Sequence, residues 1–167
     1  MSMPASEQWS QQDADAAVEN LLGLWTSGGT MAEVLGLDSR ECEALYAHGH
    51  SLYAQGKYND ALKIFAQLVA YDHLDSRYQM ALASAMQMTR RYEEALQHYI
   101  IVTVMRMDDP VPVYHSAECL IAMGRPDEAR ESLELVGTLC EEGRHDVIKT
   151  RAQAMLKALA AKASDSR

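Results

Sequence analysis

The chain has 167 residues, 48% of them apolar and 23% charged, enough for one domain with its own core or for a short repeat array. Nine Gly, four Pro and a single Phe argue against a turn-rich all-β fold, while abundant Ala, Leu, Met, Glu and Gln favour helix. A net charge of −9 with no basic stripe excludes a polyanion-binding surface, so no direct contact with nucleic acid is expected.

The acidity is lopsided, because Glu7, Asp13, Asp15, Glu19, Glu33 and Asp38 all precede Arg40, the first basic residue. The opening residues carry neither a positive n-region nor an apolar h-region, so no secretory signal is expected. Residues 1–11 read as disordered. In "DADAAVENLLGLW", Val18, Leu21, Leu22 and Trp25 share one face of an amphipathic helix. That stripe packs either on the first repeat or on another subunit. "SGGT" then breaks the helix, and Thr30 with Glu33 makes a capping box for a short helix ending near Leu37. Residues 1–38 thus form an N-terminal extension.

A repeat follows. When "GKYNDALKIF", "RRYEEALQHY" and "GRPDEARESL" are aligned, Ala61, Ala95 and Ala129 fall 34 residues apart. The same register aligns Gly56, Arg90 and Gly124, then Tyr58, Tyr92 and Pro126, then Phe65, Tyr99 and Leu133. Upstream, Gly49, Ala83 and Ala117 form a second comb, with Leu52, Met86 and Leu120 three residues later. This is the tetratricopeptide (TPR) period. Small residues are needed where two helices cross closely, Gly49 against Ala61 in the first unit, and large ones fill the space beside the crossing. Leu45, Gln79 and Val113 stand where the repeat prefers Trp.

The expected fold is therefore all-α: three tandem repeats at about 42–75, 76–109 and 110–143, with a capping helix over 144–161 and a disordered tail at 162–167. Helices are expected over 40–55, 58–71, 76–89, 92–106, 111–123, 126–140 and 145–161. The run "YIIVTVM" at 99–105 is rich in β-branched residues, so tertiary contacts must hold it helical. Unfolded, it is an aggregation hazard. It falls far short of the ~20 residues of a membrane span, and no membrane insertion is expected. Cys42, Cys119 and Cys140 are odd in number and form no C-x-x-C pair, which suits a reducing cytosol.

Catalytic and metal chemistry find no support. His48 and His50, two residues apart on a helix, diverge by about 200° and cannot share a metal. His73, His98, His115 and His145 show no ligand spacing, and "SGGT" lacks the Lys of a phosphate loop. No catalytic residue, cofactor or metal is expected. What remains is the concave surface lined by the first helix of each unit. Its candidates are Tyr46, His50 and Tyr53, then Met80, Ser84, Gln87 and Met88, then Tyr114, Glu118 and Ile121, with Tyr71 and His73 from a second-helix end. Tyr and Met suit a partly wet, adaptable groove for an extended peptide with apolar anchors.

Three repeats alone imply only a protein-binding adaptor. The strings "SGGTMAEVLGL", "LYAHGHSLYAQGKYNDALKIFAQLVAYDHLDSRYQMALA" and "YHSAECLIAMGRPDEARESLE" go further. Over residues 20–160 the chain resembles class II type III secretion chaperones, the SycD/LcrH-like translocator chaperones. The resemblance implies a cytoplasmic bacterial protein that keeps hydrophobic major and minor translocator subunits soluble before export. It also implies a groove taking a P-x-L-x-x-P-like segment, with Tyr46, His50, Tyr53, Tyr71 and His73 at groove positions. His50 stands where the family has a larger apolar residue. Family likeness further implies a homodimer through the N-terminal helix, hence through Val18, Leu21, Leu22 and Trp25, and for some members an AraC-like activator as partner. The alternative reading is a regulatory adaptor acting mainly on such an activator.

Overall fold

The first helices of the three repeat units all begin on an aspartate whose side chain takes up an orphan backbone N–H. Asp38 accepts from Glu41 at 2.9 Å, Asp75 from Arg77 at 2.7 Å and Asp109 from Val111 at 2.9 Å. Glu41 returns the bond to the Asp38 N–H at 3.0 Å, closing a capping box. The computed structural model describes Glu19, Gly23, residues 29–140 and residues 143–165. The expected amphipathic stripe of Val18, Leu21, Leu22 and Trp25 lies outside the described residues.

Among the described residues there are eight helices and no strand. They are α1 (Met31–Leu35), α2 (Ser39–Ala54), α3 (Tyr58–Tyr71), α4 (Ser76–Met88), α5 (Tyr92–Met105), α6 (Pro110–Ala122), α7 (Pro126–Leu139) and α8 (Asp146–Asp165). The Thr30 N–H donates to the Glu33 carboxylate at the start of α1, as its spacing predicts. Helix α8 runs past the expected end at residue 161, so the first part of the expected disordered tail is helical instead. The reason is local: "AAKASD" contains good helix formers and neither Gly nor Pro to stop the helix.

Each helix from α2 onward packs on its sequence neighbours, and α2 also touches α4 while α6 touches α8. That is the antiparallel pairing and stacking of a TPR solenoid. The turn inside each unit is made at Gly56, Arg90 and Gly124, with φ of 75°, 62° and 75°. The next N–H then reaches back across the turn, from Lys57 to the Leu52 carbonyl, Arg91 to Met86 and Arg125 to Leu120. This is the 6→1 closure that a left-handed residue permits.

The repeat register is the core. Ala61, Ala95 and Ala129 are fully buried, as are Tyr99 and Leu133, and Phe65 is 1% exposed. At Gly49 the close approach differs from the expected one. A Cβ there would meet the Phe65 ring at 2.5 Å, so the glycine accommodates that ring rather than Ala61. His48 is exposed rather than packed between helices, because Gly49 holds the buried position beside it. Gln79, at a position where the repeat prefers Trp, is 4% exposed. Its amide nitrogen donates to the His73 carbonyl at 3.0 Å and its oxygen pairs with His98 Nδ1 at 2.7 Å, so both polar ends are satisfied. In α5, Tyr99 and Val102 are buried while Ile100, Ile101 and Val104 face outward. Two buried anchors, then, hold the β-branched run helical.

Candidate functional site

Positions 46, 50 and 53 lie one helical turn apart and put Tyr46, His50 and Tyr53 on one stripe of α2. Together with Phe65 of α3 and Met80, Ala81 and Ser84 of α4 they line a hollow of about 240 Å³, with Arg77 and Arg106 at one edge. It lies between the first helices of two successive units, the side that such superhelices present as concave.

The rings support one another. Tyr46 and His50 meet edge to face at 4.4 Å between centroids, and His50 meets Phe65 at 5.3 Å. Tyr53 meets Tyr58 at 5.1 Å. Such contacts fix rotamers, so the wall is organised before any ligand arrives. Burial pushes the Tyr46 and Tyr53 hydroxyls up from their ordinary range, so both stay protonated at neutral pH.

Arg77 closes the near edge. Its guanidinium carbon sits 5.4 Å from the centroids of both the Tyr46 and Tyr78 rings, a cation–π arrangement. Its Nη2 donates to Glu43 at 2.7 Å and to Asp75 at 2.6 Å, tying α2 to α4. Burial alone would raise the Asp75 carboxyl, but the Arg77 hydrogen bonds outweigh it and hold that group below its usual range. Arg106 joins through Ser76, donating from Nε at 2.8 Å.

At the far side lies a polar chain from the second and third units. The Tyr99 hydroxyl is 2.7 Å from Gln87 Oε1 and 3.3 Å from Ser84 Oγ. Gln87 Nε2 donates to Glu118 Oε2 at 2.9 Å, and His115 Nδ1 reaches the same oxygen at 2.8 Å. Burial raises the Glu118 carboxyl, but these bonds offset it, and the group titrates below its ordinary value. Tyr114 is 5% exposed and packs in the core, its ring edge-on to His115.

Of the candidates, then, Tyr46, His50, Tyr53, Met80 and Ser84 share the hollow, and Gln87 and Glu118 adjoin it through hydrogen bonds. Tyr71, His73 and Met88 do not line it. Tyr71 is half-buried at the end of α3 and bonded by Gln67, His73 is exposed, and Met88 is exposed at the end of α4. Sequence reasoning missed Phe65, Arg77 and Arg106 as wall residues. One signal was present: Arg77 and its partner Glu43 are 34 residues apart, one repeat period, and equivalent positions of adjacent units are neighbours in space.

The three cysteines are buried and free. Burial, with Glu118 next, pushes the Cys119 thiol up to about 12, so it is protonated and unreactive at neutral pH. Among the described residues no group of three His, Cys, Asp or Glu side chains comes together as metal ligands, and no helix is long and apolar enough to cross a membrane.

Fold and hollow define a tetratricopeptide-repeat protein with an aromatic wall on its concave side. A family model described as anaphase-promoting complex, cyclosome, subunit 3, matches residues 29–100. Low calcium response locus protein H of Yersinia pestis is 33% identical over 149 residues, covering 89% of this chain and 87% of that protein. The type III secretion translocator chaperone SycD of Yersinia enterocolitica has a similar structure, with a TM-score of 0.72 at 35% identity over 78% of this chain and 98% of SycD. PcrH, solved with the chaperone binding region of PopD, gives a TM-score of 0.72 at 37% identity over 76% of this chain and 96% of PcrH. The chain belongs to the type III secretion translocator chaperones, the family of LcrH and SycD.

Proposed function

We propose that this protein is a cytoplasmic chaperone that binds hydrophobic translocator subunits of a type III secretion apparatus on its concave surface and keeps them soluble until export. The observation that carries this is the preformed hollow of Tyr46, His50, Tyr53 and Phe65, in a family whose members SycD and PcrH were solved with a YopD peptide and with the binding regions of PopD and PopB. A translocator must expose membrane-seeking segments. Held on an acidic carrier, a segment with apolar anchors buries side chains that each contribute about 1.5–3 kcal/mol, and the exposed apolar surface that drives aggregation falls. The mechanism is stoichiometric capping. It needs no bond making, and release falls to the export machinery.

The test is calorimetry of a P-x-L-x-x-P peptide from a co-expressed translocator against wild type, Tyr46→Ala and Tyr53→Ala. Each variant should lose about tenfold or more in affinity with helicity intact, as expected on truncating a buried aromatic anchor. Unchanged affinity in both would remove the hollow from the binding surface. The stripe of Val18, Leu21, Leu22 and Trp25 is proposed to make a homodimer, following the dimeric SycD crystals. Sedimentation of the full chain and of a chain lacking residues 1–29 should then give different species, and identical species would count against it.

A further inference from the structure

The third unit sets a carboxylate beside the hollow whose ion-pair partner is a histidine. Among the described ion pairs every other carboxylate meets a Lys or Arg, whereas Glu118 meets His115. Its side chain is 31% exposed, so the charge is partly desolvated yet reachable. The donors Gln87 and His115 converge on one oxygen, Oε2. A carboxylate has about four acceptor sites, so the group keeps capacity for a further donor. Gln87 is itself held by Tyr99, and His115 stacks on the Tyr99 ring at 5.4 Å, so the carboxylate is fixed in direction. A partly buried, pre-aimed anion lacking a permanent cation is the complement of a cationic side chain.

The opposite edge carries cations that are already paired, Arg77 with Glu43 and Asp75 and Arg106 with Asp109. The charged residues lining the hollow are Arg77 and Arg106, both cations. From Arg77 to Gln87, the residue that holds Glu118, is ten residues along α4, about 15 Å at the helical rise. The paired arginine edge and the glutamine that holds Glu118 are therefore separated by a distance that an extended chain spans in about four or five residues.

We propose that Glu118 is a specificity-determining residue for the client: it receives a lysine or arginine that flanks the apolar anchors seated against Tyr46 and Tyr53. This rests on the reading of the concave surface as the client site. It adds a charge requirement that apolar pockets alone do not impose. A neutral flank would bind through the anchors only, and a glutamate flank would be rejected by repulsion from Glu118.

The experiment is calorimetry of the full-length chain with two sets of synthetic P-x-L-x-x-P peptides, carrying lysine or norleucine about four or five residues from the leucine on either flank. On wild type at low salt, lysine on one flank should bind about tenfold tighter than norleucine, the gain of one partly desolvated charge pair. In Glu118→Gln, which keeps size and hydrogen bonding, that preference should vanish while the norleucine peptide keeps its wild-type affinity. A role confined to holding the fold would instead weaken both peptides equally, and that result overturns the proposal. The preference should also narrow on wild type alone near 1 M salt, where the screening length is about 3 Å and a partly desolvated pair keeps only part of its attraction, so the outcome does not depend on the variant folding. Equal affinity of lysine and norleucine peptides on wild type, or a preference that survives in Glu118→Gln or is unchanged by high salt, overturns the proposal and leaves the aromatic hollow standing. Failure of every peptide to bind overturns the client site and this assignment together.

Discussion

Gly49→Ala tests how the first repeat is packed and how packing shapes the hollow. On helix propensity alone the change stabilises, by about 1 kcal/mol for an interior position. Tertiary packing opposes it. The added Cβ would sit 2.5, 3.0 and 3.1 Å from three carbons of the Phe65 ring. That ring is fully buried and in edge contact with His50, so it has little room to retreat. Overpacking of this kind costs about 1–3 kcal/mol. The clash is the larger effect, and a net loss of up to about 2 kcal/mol is expected in urea unfolding, as a lower midpoint at unchanged slope. Phe65→Leu in the same background should recover part of that loss, since it removes the ring the methyl strikes. Because Phe65 also lines the hollow, Gly49→Ala should weaken client-peptide binding as well. A Gly49→Ala protein more stable than wild type, by the full propensity gain of about 1 kcal/mol, would refute the close approach, and with it the placement of Phe65 in the wall.

Two further outcomes follow from single positions. Arg90 is the non-glycine residue at the left-handed turn that Gly56 and Gly124 make in the flanking units, and its side chain is exposed. Arg90→Gly should therefore stabilise by about 0.5–1 kcal/mol, relief of the left-handed strain exceeding glycine's extra chain entropy; no rise in the thermal midpoint would contradict it. Asp75 is held below its ordinary range in the folded state by Arg77. Its contribution is thus full above about pH 4 and disappears as pH falls through the depressed folded value. Arg77→Gln should lower stability at neutral pH and flatten its fall in acid, so parallel pH profiles for variant and wild type would rule the coupling out.

The repeat was legible because a 34-residue register is imposed by sterics at every crossing: a small residue must recur wherever two backbones approach, and Ala61, Ala95 and Ala129 do so with no exposed surface. Helix bounds followed from the same register, and the left-handed turns fell at the aligned Gly56, Arg90 and Gly124. The stripe of Tyr46, His50 and Tyr53 was legible for the same reason, since helical angle alone sets its face. Other site residues were less so. Tyr114 shares the nominal concave positions yet lies in the core, and Tyr71, His73 and Met88 fall outside the hollow.

The sequence by itself thus determined the periodicity, the all-helical solenoid and one wall of the hollow, all of which depend on local geometry repeated at a fixed interval. Only the tertiary structure decided that Gly49 receives Phe65, that Arg77 and Arg106 border the hollow, and that Gln87 and His115 converge on Glu118. A period states which residues are equivalent from unit to unit. Which of them meet depends on how far each unit rotates on the last and where each long side chain turns, and packing sets both.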